Sequence, residues 1–131
     1  MIKKLIKIDN LYKSYQYKDF KFSILENIKF DVKENEIISI VGPSGVGKST
    51  FLNLVGLLDS FDSGEYYFDE IDVKKLNKQE KNKFRNIYVG FVHQFFHLIP
   101  ELTILENVAI PKMIKDNNKK ESYEYANHLL E

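Results

Sequence analysis

Apolar and polar residues alternate through Asn27–Val32: Ile28, Phe30 and Val32 fall on one face, Asn27, Lys29 and Asp31 on the other. A period of two is that of a half-buried β-strand. Glu34-Asn35 reads as a turn, and the nearly continuous β-branched run Ile37-Ile38-Ser39-Ile40-Val41 then predicts a strand buried on both faces. After a glycine-rich turn the period changes. Phe51, Leu54, Val55 and Leu58 recur at i, i+3, i+4 and i+7, which predicts a helix from about Lys48 to Leu58. Asp59 to Gly64 has the composition of a loop. Glu65 to Val73 reads as a hairpin folded at Asp69-Glu70, Asn77 to Arg85 as a lysine-rich solvated helix, and Tyr88 to Val92 as a further apolar strand. Thr103-Ile104-Leu105-Glu106 has capping-box spacing and starts another helix, and a last helix runs from Lys119. Strand-like and helix-like pieces alternate, so the predicted fold class is α/β.

Composition narrows the function classes. At 131 residues the chain has room for about one domain. Lys plus Arg equals Asp plus Glu at 19 each, so no bulk basic field is present for nucleic acid. With no cysteine, disulfides, thiolate zinc sites and cysteine nucleophiles are all excluded. No apolar run approaches the roughly 18–20 residues of a membrane helix, and the start Met1 to Asp9 has no apolar segment after its lysines, so no signal peptide is read there.

The main chemical signal is Gly42-Pro43-Ser44-Gly45-Val46-Gly47-Lys48-Ser49-Thr50, which fits G-x-x-x-x-G-K-[ST]. The glycines allow a tight turn whose N–H groups converge on phosphate oxygens. The following helix adds unpaired N–H groups and a positive dipole end. Lys48 would reach the terminal phosphates and the Ser49 hydroxyl a magnesium ion. From this chain's own composition the pattern arises by chance roughly three times in a thousand. By itself it says P-loop nucleotide binder, which leaves transport ATPases, GTPases and nucleotide kinases open. Guanylate kinases have a similar loop near their N-terminus and clamp phosphates with several arginines. Here the loop begins at Gly42 and Arg85 is the single arginine, which weighs against a kinase.

The segment Gly90 to Pro111 resembles the Q-loop region of ABC transporter ATPases. Gln94-Phe95, His97-Leu98, Pro100, Thr103 and Leu105-Glu106-Asn107-Val108-Ala109 look like the lipoprotein-releasing, LolD-type branch. Asp9-Asn10-Leu11, Lys13, Tyr15-Gln16, Gly56, Leu58-Asp59 and Ser63-Gly64 fit the same branch, while macrolide- and peptide-export branches look similar. The resemblance implies a P-loop NTPase core with an N-terminal antiparallel β subdomain, and places residues 1–131 as the N-terminal part of one nucleotide-binding domain. It implies ATP and Mg²⁺ as ligands. Tyr15 would be the aromatic that stacks on adenine, and Gln94 the Q-loop residue that senses magnesium and links the nucleotide to the membrane subunits. Lys48 and Gln94 would act in catalysis, and Ser49 and Gln94 at the metal. The implied partners are transmembrane permease subunits and a second nucleotide-binding subunit, at the cytoplasmic face of the cytoplasmic membrane.

The family pattern continues with a Leu-Ser-Gly-Gly-Gln signature, a Walker B aspartate with a catalytic glutamate, and a switch histidine. These are not in the sequence, so the chain is expected to be an N-terminal half that binds nucleotide without turnover. Alternatives are a non-hydrolytic remnant, or a kinase or GTPase that uses Asp69-Glu70, after Tyr66-Tyr67-Phe68, as Walker B. The family places an antiparallel hairpin at that point. His93, His97 and Glu101 have helical metal-ligand spacing, but Pro100 disfavours the helix. Phe95, Phe96, Leu98 and Ile99 form an apolar cluster with two readings, local core or a docking surface for a membrane subunit.

Overall fold

A computed structural model describes residues 4–131. These fall into two compact units, residues 4–81 and 82–131.

The first unit is built on a four-stranded antiparallel sheet of order β2-β1-β3-β4. Strands β1 (Lys4–Tyr17) and β2 (Phe20–Lys33) form a long hairpin, with Tyr17 opposite Phe20 at its tip. The alternation read at Asn27–Val32 is present: Ile28, Phe30 and Val32 are half-buried, and Asn27, Lys29 and Asp31 exposed. On β1 the alternation is interrupted. Asn10 has φ 48°, and the register shifts between Ile8 and Leu11 against β2. This bulge keeps Ile6, Ile8 and Leu11 all on the buried side. Strand β3 (Ser63–Phe68) turns into β4 (Ile71–Asp72) through Asp69 and Glu70, at φ 48° and 69°. The hairpin reading therefore holds. β3 pairs antiparallel with β1, not as a parallel strand, so Asp69-Glu70 is a turn and the Walker B alternative falls.

Helix α1 (Lys48–Val55) buries Phe51 and Leu54, as the period predicts. Its end differs from the prediction. Gly56 caps the helix and Leu57 turns to φ 59°, so Leu57 enters the core and Leu58 is exposed. Phe51 meets Phe30 edge-on at 5.0 Å between ring centroids. The Tyr66 hydroxyl, fully buried, donates to the Val55 carbonyl at 2.6 Å and ties the end of α1 to β3. Burial pushes the Tyr66 hydroxyl pKa far up, so it stays a donor.

Two expected strands are not formed. Residues 37–41 have no strand partner among the described residues, and Ile37 and Val41 are 97% and 87% exposed. The β-branched run records a preference for burial, but a parallel strand exists only when hydrogen-bonded neighbours flank it. The strand expected at Tyr88 to Val92 is likewise not formed. Helix α2 (Lys78–Tyr88) takes Tyr88 as its last residue, and Val92 is fully exposed.

In the second unit α3 (Ile104–Asp116) and α4 (Lys119–Leu130) pack through Ala109, Ser122 and Ala126, each fully buried. Small residues let the two backbones approach. The predicted capping box is present: the Glu106 amide donates to the Thr103 hydroxyl at 3.2 Å, and the Thr103 amide to the Glu106 carboxylate at 2.8 Å. Asn107 holds the preceding loop onto α3. Its side chain accepts from the Ile99 amide and donates to the carbonyls of Ile99, Leu102 and Thr103.

Candidate nucleotide site

The loop Gly42 to Gly47 leads from the extended 37–41 segment into α1. Gly47 sits at the helix N-cap with φ 100°, a conformation that L side chains rarely adopt. A Cβ there would also stand 3.0 Å from Leu25 and 3.1 Å from Ile24, so the loop lies close on β2. The first helical bond runs from the Phe51 amide to the Gly47 carbonyl at 2.8 Å. The amides of Lys48, Ser49 and Thr50 thus precede the helix ladder and are free to meet an anion. No acidic side chain lies in the first turn of α1 to oppose one.

Lys48 folds back over the loop. Its Nζ donates to the Gly42 carbonyl at 2.8 Å and the Pro43 carbonyl at 2.7 Å. Gly42, Pro43, Ser44, Gly45 and Val46 are exposed, as is Ser49, while Gly47, Lys48 and Thr50 are half-buried. Beside the loop a cavity of about 400 Å³ is lined by Phe30, Ile38, Ile40, Val41, Gly47, Lys48 and Phe51, among others. An exposed hydroxyl at Ser49, next to free amides and Lys48, fits a phosphate-bound magnesium ion. Among the described residues no cluster of acidic, histidine or cysteine side chains could hold a metal by protein ligands alone.

Tyr15 lies on β1 in the same unit and is 42% exposed. Its hydroxyl donates to Asp59 Oδ2 at 2.6 Å. Lys13, two residues back on the strand and 6% exposed, directs Nζ at Asp59 Oδ1 (2.9 Å), the Ser60 carbonyl (2.6 Å) and the Tyr15 ring, 4.6 Å from its centroid. Burial tends to raise the Asp59 pKa. Hydrogen bonds from Tyr15, Lys13 and the Ser60 amide outweigh that and hold the carboxyl below its usual range. The bond to Asp59 and partial burial raise the Tyr15 pKa, against a hydrogen bond with Thr50 that lowers it. The sequence-predicted residues Tyr15 and Gly42 to Thr50 lie in one unit. Sequence reasoning gave no role to Lys13 or Asp59. The one local cue was a lysine on the apolar face of a strand after Leu11.

A depressed carboxyl stabilises the fold above its unfolded pKa and loses that contribution as pH falls through its folded one. For Asp59, protonation also leaves a buried ammonium without its counter-charge. The melting temperature of the chain should therefore exceed that of Asp59→Asn by a constant margin above about pH 5, and the margin should close below about pH 4. Thermal melts of both proteins from pH 3 to 7 check this; a margin independent of pH contradicts it.

Gln94 lies in the second unit, in an irregular stretch, and is exposed. Next to it Phe95, Phe96, Leu98 and Ile99 are 69%, 91%, 57% and 44% exposed. The local-core reading of this cluster is not met. His93 and His97 are not on a helix, and their rings pack edge-on at 4.5 Å.

The sequence model of the family described as "ABC transporter" matches residues 25–131. The lipoprotein-releasing system ATP-binding protein LolD of Myxococcus xanthus (strain DK1622) is 42% identical over 127 residues, which is 97% of this chain and 57% of that protein. LolD of Buchnera aphidicola subsp. Acyrthosiphon pisum (strain APS) is 42% identical over 126 residues, 96% of this chain and 55% of that protein. The ATP-binding cassette MJ0796, solved as a dimer in a post-hydrolysis state with ADP and Pi, superposes with a TM-score of 0.84 at 40% identity. That match covers 94% of this chain and 54% of the cassette. The chain spans about half the length of the curated relatives it matches.

Proposed function

This chain belongs to the ABC transporter family, whose model matches residues 25–131, and on that premise we propose that it binds MgATP at Gly42 to Thr50 as the N-terminal part of a transporter's nucleotide-binding domain. The observation that carries the proposal is the phosphate cradle itself. Gly47, at φ 100°, opens a helix whose first amides are unpaired and uncontested by acid, with Lys48 at the mouth. The LolD relatives favour lipoprotein release as the transport role over macrolide or peptide export.

In this reading the loop amides and Lys48 hold the β- and γ-phosphates. Tyr15 stacks on adenine, and its aromatic face accepts a base without specific hydrogen bonds. Ser49 would hold magnesium, which when bound would neutralise charge on the phosphate oxygens. In the whole protein the reaction is in-line attack of water on the γ-phosphorus, with Lys48 offsetting charge on the transferred group. The signature, Walker B and switch-histidine motifs of the family are not in these 131 residues, so in this reading they bind nucleotide without turnover. The exposed Phe95, Phe96, Leu98 and Ile99 supply an apolar surface suited to a transmembrane permease subunit. Among the described residues no helix is long and apolar enough to cross a membrane. Dimerisation with a second nucleotide-binding subunit would complete the catalytic site.

Calorimetry with MgATP and a phosphate-release assay on the same protein test the reading together. The expected outcome is saturable binding, displaced about equally by other purine nucleoside triphosphates, with phosphate release at background. An absence of binding overturns the proposal, and release above background overturns the assignment of binding without turnover.

A further inference from the structure

The Tyr15 side chain is held at two places by groups outside the phosphate loop. Asp59 Oδ2 accepts from the phenol at 2.6 Å, and Lys13 Nζ sits 4.6 Å from the ring centroid. Those two holding groups are themselves paired, Lys13 Nζ to Asp59 Oδ1 at 2.9 Å. The Ser60 amide donates to the same carboxylate oxygen at 2.7 Å, and the Ser60 carbonyl accepts from Lys13 at 2.6 Å. Both oxygens of Asp59 are therefore engaged, and the ammonium of Lys13 has a carboxylate, a carbonyl and an aromatic face around it. The lysine side chain is 7% exposed and that of Asp59 27%. A buried ammonium needs such a full set of partners, which makes the arrangement geometrically strict. A tyrosine on a strand surface would otherwise turn about χ1 and χ2.

We propose that Asp59, acting with Lys13, is a positioning residue for the nucleotide base: it fixes the Tyr15 ring in one orientation, so that the base meets a platform already ordered. The inference rests on the reading of Tyr15 as the stacking aromatic. Asp59 touches no nucleotide in this scheme. Its effect passes through the phenol hydroxyl and through Lys13, and it appears as the ordering cost of one side chain, which corresponds to a change of about 2- to 10-fold in affinity.

The experiment compares MgATP with magnesium tripolyphosphate, which has the phosphates and no base, by calorimetry on the 131-residue chain. Wild type should bind MgATP more tightly than tripolyphosphate. Asp59→Ala should weaken MgATP by about 2- to 10-fold and leave tripolyphosphate unchanged. Tyr15→Phe keeps the ring and removes only the hydroxyl, at an exposed position where folding is not at risk, and should weaken MgATP alone by a similar factor. Asp59→Asn retains an acceptor for the phenol and should recover part of the loss. In the Tyr15→Ala background, Asp59→Ala should have no further effect on MgATP. Equal wild-type affinity for the two ligands removes the base contact and the reading of Tyr15 with it. A wild-type preference for ATP that survives both Asp59→Ala and Tyr15→Phe overturns the inference alone. So does an equal loss for both ligands, which marks Asp59 as a structural support of the loop. If Asp59→Ala does not fold, Tyr15→Phe decides.

Discussion

Lys48→Ala should weaken MgATP binding by roughly 10- to 150-fold, the equivalent of one charge-assisted hydrogen bond of about 1.5–3 kcal/mol. Lys48 Nζ now bonds the carbonyls of Gly42 and Pro43, at 2.8 and 2.7 Å. These are neutral acceptors on an exposed loop, where water is an adequate replacement. A phosphate oxygen with a formal charge is a stronger acceptor than either, so the ammonium gains by the exchange when nucleotide arrives. Because the contacts it leaves are exposed, the substitution should leave the melting temperature nearly unchanged, and the loss of affinity reports binding and not folding. Calorimetry with MgATP, paired with a thermal melt, measures both. Unchanged affinity in the variant removes the loop as the nucleotide site.

The largest expected effect on stability is at Gly64. Gly64→Ala should cost about 2–5 kcal/mol, from a strained φ together with an enforced overlap. Gly64, the second residue of β3, has φ 111°, and an added Cβ would overlap the Asn10 carbonyl oxygen and lie 2.6 Å from Leu11 Cα. Both are backbone atoms of the β1 bulge, so no side chain can rotate aside. β3 would have to move off β1, and the fully buried Leu11 and Tyr66 would move with it. A denaturant melt beside Ser63→Ala as a control checks this; a midpoint within error of the control sinks it.

How much of this was visible in the sequence depends on whether the deciding interaction is local. The α1 period, the Thr103–Glu106 capping box and the Asp69-Glu70 turn each depend on residues within a few positions, and each is where the pattern puts it. So is the phosphate loop, whose glycines and helix start are contiguous. Strand β1 was not read as a strand, because the bulge at Asn10 breaks the alternation that would mark it. The run at 37–41 carries a true preference for burial, but pairing depends on distant chain and not on the run itself. The helix end is hidden for the same reason: Leu57 and Leu58 are equally apolar, and the capping glycine decides which goes inside. Lys13 and Asp59 lie 46 residues apart, and nothing local to either announces the pair.

The bare 37–41 segment also governs how the chain behaves in company. Ile37 and Val41 stand almost fully in solvent, and the segment is β-branched, uncharged and without proline. Unpaired N–H and C=O groups along such a stretch form a template on which a second extended chain can add. Six- or seven-residue windows of this composition are those that stack into cross-β ribbons when left uncovered. Where it stays uncovered, the same β-branched residues that favour a buried strand make this segment one place at which copies of the chain can associate at high concentration.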